Sequence, residues 1–149
     1  MACNRVTVEV PPERVWSVLA DASKYPGWVV GAKEIRAVDG DWPEPGSRFH
    51  HSVGVGPLTL QDNTKSIEAD APHRLVLEAR ARPLGKARIE LDLRPVEGGT
   101  EIVMHEVVSS PPVMSLLNFC FDPLTYTRNA ESLRRLSELA IAAAGEPPT

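Results

Sequence analysis

The side chains in this 149-residue sequence best suited to proton chemistry are Glu106 and His51. Each lies in a run that alternates between apolar and polar residues, so what it can do depends on which face of a strand it occupies. The clearest strand is Lys86 to Arg94, with Ala87, Ile89, Leu91 and Leu93 on one face and Lys86, Arg88, Glu90, Asp92 and Arg94 on the other. A turn at Glu97-Gly98-Gly99 follows it. If Pro95 pairs with Thr100, then Leu93 faces Ile102, Leu91 faces Met104, Ile89 faces Glu106 and Ala87 faces Val108. Glu106 then points inward among apolar neighbours, where a carboxylate could hydrogen-bond a ligand or act as a general base. An acid near a strand end could equally reach water or pair with a helix cation. The register slipped by one residue would instead bury Glu101, Val103, His105 and Val107; it sets Glu101 among apolar side chains, and the first register is preferred for that reason.

Phe49, His51 and Val53 share a face, taken as inward, opposite Arg48, His50 and Ser52. His51 could then act as the acidic partner of Glu106 across a cavity, or serve only the structure. The pair His50-His51 does not make a metal site, because strand neighbours point to opposite faces; with His73 in a turn and His105 outward, no metal is expected. Tyr126 and Asn129, near the start of the final helix, could present polar tips to the same space, although Asn129 could instead bond backbone. Cys3 and Cys120 form no CxxC pair and have no evident histidine partner, so both read as inert thiols. There is no GxSxG and no glycine-rich phosphate loop before a helix, which disfavours phosphoryl and dinucleotide chemistry.

These residues must be held by the elements around them. Val6, Val8 and Val10 alternate as a strand; Pro11-Pro12 ends it and opens an amphipathic helix that finishes near Asp21. Asp21 to Trp28 reads as a further helical turn, capped by Asp21 and stopped by Pro26-Gly27. From Glu34 to Ser109, short strands separated by turn clusters imply an antiparallel meander of six strands. Leu75, Leu77, Ala79 and Ala81 belong on the inner face and Val76, Glu78, Arg80 and Arg82 on the wet one. Leu58 and Leu60 differ in parity from Ile67, and a bulge near Asp62-Asn63 would reconcile them. The apolar run Val113 to Phe121 is placed to roof the inner face. After Pro123, a helix is expected from Leu124 to about Ala144, with Leu133, Leu136 and Ala140 inward and Glu131, Arg134, Arg135 and Glu138 paired outside. Residues 145–149 should form a flexible tail.

A chain of this size makes one domain, here 1–144. Its net charge of -4 offers no basic field for nucleic acid. No apolar run is long enough for a membrane span and no leader is evident, so a cytoplasmic protein without stable membrane insertion is expected.

Several segments carry a family resemblance: Val10-Pro-Pro-Glu-Arg-Val-Trp-Ser-Val-Leu-Ala-Asp21 with Tyr25-Pro-Gly-Trp28, the turn from Glu68 to Leu75, the Gly98-Gly-Thr-Glu-Ile102 hairpin, and Arg128 to Leu136. Together they resemble the START-like (SRPBCC, Bet v 1-like) superfamily, in its polyketide cyclase/dehydrase and lipid-transport branch. That resemblance implies an α+β helix-grip fold, a curved seven-stranded antiparallel sheet around a long C-terminal helix with two short helices after the first strand. It also implies an internal cavity for a small hydrophobic ligand: a lipid, a polyketide, or an aromatic or isoprenoid compound. Phe49, Leu77, Ala79, Ala81, Ala87, Ile89, Leu91, Met104, Tyr126 and Asn129 are its candidate lining, loosest where Ala79, Ala81 and Ala87 surround Glu106. One alternative is a cofactor-independent polyketide cyclase or aromatase, moving protons through Glu106 and His51. Another is a regulatory or chaperone-like domain with a protein partner, whose mark would be an exposed apolar lid.

Overall fold

A computed structural model describes the backbone of residues 2–30, 32–55, 58–81, 85–109 and 112–144. The side chains of residues 2, 33, 36, 53–62, 81, 85, 108–125 and 144 lie outside the described residues, as do residues 82–84 and 145–149. The facing expected of Val53, Leu58, Leu60 and Ala81, the environment of Cys120, and the roof expected from Val113 to Phe121 therefore also lie outside them.

Strand β1 (Ala2–Val8) leads into helix α1 (Pro12–Leu19), whose first residue is a proline that needs no N–H partner there. A 3-10 turn (Ala22–Lys24) is capped by Asp21, which accepts from the Ser23 N–H, and continues into the single turn α2 (Tyr25–Trp28). Strands β2 (Ala32–Asp39), β3 (Arg48–Val55), β4 (Leu58–Asp70), β5 (Arg74–Ala81), β6 (Gly85–Val96) and β7 (Gly99–Ser109) then form the meander. The sheet is fully antiparallel in the order β1-β7-β6-β5-β4-β3-β2, so the first strand pairs with the last. The final helix α3 (Pro112–Ala144) packs on β1, α1 and α2, completing the helix-grip arrangement.

The β6–β7 register is the preferred one: Pro95 pairs with Thr100, Leu91 with Met104 and Ile89 with Glu106. Across β5 and β6, Leu75 pairs with Leu91, Leu77 with Ile89 and Ala79 with Ala87. Leu75, Leu91, Leu93, Ile102, Val15, Val18, Leu19, Leu133 and Leu136 interlock as the buried core between sheet and helices.

Three expectations change. Helix α3 starts at Pro112 rather than Leu124 and runs through Pro123. A proline removes one backbone bond, a local loss that a helix of 33 residues held by tertiary packing can absorb. The irregularity in β4 falls between Ser66 and Glu68, not near Asp62-Asn63, where pairing with β3 is regular; Ile67 is the extra residue and is exposed. Val76, expected on the wet face, is fully buried. Its cross-strand neighbours are Glu90 and Glu68. Both of those carboxylates and Asp92 converge on Arg74, whose guanidinium is held further above its already high ordinary pKa, chiefly by the bond to Asp92. The ion-pair lattice closes over the small side chain.

Candidate functional site

Glu106 is on the inner face of β7 and its side chain is 5% exposed. It is not an isolated acid. Arg128 Nη2 donates to both its oxygens, at 2.8 and 2.6 Å, and Asn129 Nδ2 donates to Oε2 at 2.8 Å. Asn129 Oδ1 in turn faces Arg128 Nε and Nη2 at 3.4 and 3.3 Å, so the three side chains close a ring. A buried carboxylate is retained where a cation and hydrogen bonds compensate its lost hydration. Both compensating residues come from one turn of α3.

The placement of that turn depends on Asn4. This buried residue occupies an inward position of β1, pairs in register with Met104, and donates from Nδ2 to the Tyr126 carbonyl at 3.0 Å. Farther along α3, Ser132 Oγ accepts the Val30 N–H at 3.1 Å. Residues 126–132 are thereby fixed against β1 and against the end of α2. Neither Asn4 nor Arg128 was singled out among the candidate residues. A polar residue in the inward series with Val6 and Val8, and an arginine adjoining Asn129, were the signals.

His51 is buried, with Nε2 3.0 Å from Thr64 Oγ1 and its ring 5.5 Å from that of Phe49. The inner face at this end is aromatic. Tyr25, Trp28, Trp42 and Phe49 pack in tilted and edge-to-face pairs with centroid separations of 4.5 to 5.7 Å, and Tyr25 and Trp42 both donate to the Leu19 carbonyl. Burial pushes the Tyr25 phenol well above its ordinary pKa, so it remains neutral. Glu106 is on β7 and His51 is on β3. Strands β7 and β3 are four spacings apart in the sheet, about 19 Å measured along it.

The candidate lining residues divide into two groups. Phe49, Leu77, Leu91 and Met104 are buried in the core cluster. Ala79, Ala87 and Ile89, on the same inner face, keep accessible surface. Asn129 turns inward to Glu106, whereas Tyr126 is 55% exposed and meets the site only through its carbonyl. The inner face is thus fully buried at the Leu75, Leu91 and Leu93 end and only partly buried at the Ala79 and Ala87 end. Glu106, opposite Ile89, stands at the boundary.

Two further histidines have partners. His50 Nε2 meets Asp39 Oδ2 at 2.7 Å on the outer face. Cys3, for which no histidine was expected, lies opposite His105 in the register with Sγ 3.4 Å from Nε2. The separation of 102 residues in sequence concealed this pair. Among the described residues, no helix is long and apolar enough to cross a membrane.

Comparison with known proteins agrees with this architecture. Protein NE0264 from Nitrosomonas europaea superimposes with a TM-score of 0.75 at 17% identity, covering 97% of this chain and 96% of its own. The di-domain ARO/CYC StfQ from the steffimycin biosynthetic pathway gives 0.77 at 11% identity, over 97% of this chain and 51% of that one. Ara h 8.0201 gives 0.70 at 13% identity, over 94% and 96%. At these identities the likeness is one of fold. No curated protein sequence matches the chain. The family model described as polyketide cyclase / dehydrase and lipid transport matches residues 4–138. The chain belongs to that polyketide cyclase/dehydrase and lipid transport family.

Proposed function

We propose that this protein binds a small hydrophobic molecule between the inner face of its sheet and α3. The observation that carries the proposal is the change along β5 and β6. Leu75, Leu91 and Leu93 are fully packed, while Ala79, Ala87 and Ile89 on the same face retain accessible surface. An apolar face left open beside a few convergent polar groups is the usual form of a small-molecule site. Burying about 250 Å² of apolar ligand surface contributes roughly 6 kcal/mol before ordering costs, which sets a useful probe concentration at tens to hundreds of micromolar, by order of magnitude.

A cyclase reading would need Glu106 to accept a proton, and that carboxylate already accepts three hydrogen bonds, two of them from a guanidinium. Binding is therefore the better-supported reading. The test is uptake of 1-aminoanthracene, a neutral aromatic probe, followed by its fluorescence. Saturable uptake with a Kd of roughly tens to hundreds of micromolar is expected, and a probe that stays in water at every protein concentration would reject the proposal.

A further inference from the structure

The hydrogen bonds around Glu106 are unevenly shared between its acceptors and the donors that surround it. The carboxylate is enclosed by Arg128 and Asn129, and the Asn129 amide spends its N–H on Glu106 and turns its oxygen to Arg128. Every acceptor in the ring is thereby engaged from within. Of the Arg128 nitrogens, Nη2 faces Glu106 and Nε faces Asn129, whereas Nη1 has no partner among the described residues. The side chain of Arg128 is 44% exposed while that of Glu106 is 5% exposed. The cluster therefore conceals its negative member and presents a charged donor.

That donor is fixed in place. Two bonds to Glu106 and the contacts to Asn129 hold the guanidinium plane, so an incoming group does not have to order a free side chain. It also stands beside the open end of the apolar face, since Glu106 is the direct partner of Ile89 and Ala87 lies one inward position farther along β6. A molecule with its apolar body over Ala79 and Ala87 would lie beside the Glu106–Arg128 pair.

We infer that the ligand is an amphipathic organic acid whose anionic oxygen is taken by Arg128 Nη1. The inference rests on the binding reading above and adds the chemical class. A neutral carbonyl would also accept from Nη1, but only an anionic oxygen adds charge–charge attraction to the hydrogen bond, so the site discriminates in favour of the anion.

The test compares dodecanoate with dodecanol, two probes of equal chain length, as competitors of 1-aminoanthracene at pH 8. Dodecanoate is expected to bind at least about tenfold more tightly to the wild-type chain. The ratio should fall towards one in the double variant Arg128→Gln/Glu106→Gln, which removes both charges and leaves no buried ion unpaired. Should that variant not fold, Arg128→Lys serves: it keeps the charge, loses the fixed fork, and should lower the ratio severalfold. Equal affinity of the wild-type chain for the two probes would overturn the inference and leave the binding reading standing. Retention of the acid preference in the double variant would overturn the assignment to Arg128. If neither the aromatic probe nor either competitor binds, both readings fall together.

Discussion

Arg128 Nη2 bonds both carboxylate oxygens of Glu106, across a sequence separation of 22 residues, and so joins the last strand to the final helix at the edge of the open apolar face. The pair is asymmetric, with a buried acid and a half-exposed cation. Breaking it from either side should therefore have unequal consequences.

Arg128→Gln leaves a buried carboxylate with only Asn129, and a loss of about 2–3 kcal/mol is expected in urea denaturation, at or below the low end for buried pairs because water reaches Arg128. Glu106→Gln leaves a cation that can turn to solvent and should cost less, about 1–2 kcal/mol. The double variant should cost clearly less than the sum of the two, the mark of coupled partners. Strict additivity would show that the contact contributes nothing.

The path to Glu106 was largely legible because β6 alternates without interruption from Lys86 to Arg94 and the hairpin carries that alternation into β7. The cation was less so. A buried acid demands compensation, but Arg128 adjoins Asn129 on a helix whose rotation is set by Asn4 and Ser132, contacts made from distant parts of the chain. The β4 bulge was visible as a parity conflict, yet its position at Ile67 depends on pairing with β5. Val76 looked solvent-facing because local alternation says nothing of the ion pairs that cover it.

The β6–β7 hairpin offers a test of packing between the first and last strands. A Cβ on Gly99 would overlap the Val8 carbonyl oxygen, a backbone atom that cannot swing aside, whereas one on Gly98 meets nothing. Gly99→Ala should lose at least about 3 kcal/mol or fail to fold. Gly98→Asn should stay within about 1 kcal/mol, since its φ of +81° is one that asparagine tolerates. Thermal unfolding of the two variants side by side checks this contrast.

On the solvent face of α3, Glu131 accepts from Arg134 and Arg135, and those bonds lower its carboxyl to about 2. A folded pKa below the unfolded value means that the stabilisation is present above about pH 4.5 and is lost as pH falls through about 2. The stability difference between wild type and Glu131→Gln should therefore shrink over that interval. It should also be smaller in 1 M salt, because the group is exposed and screened. A difference that is constant with pH would contradict the assignment.

The central claim is that the open end of the inner face, where Ala79 faces Ala87, holds the ligand. Filling that end should abolish binding without unfolding the protein. The direct measurement is the 1-aminoanthracene titration of wild type and Ala87→Phe in parallel, with circular dichroism confirming that both are folded. The expected result is saturable uptake by the wild type and at least about tenfold weaker uptake by the variant. A folded Ala87→Phe that binds the probe as tightly as the wild type would place the site elsewhere and contradict the account.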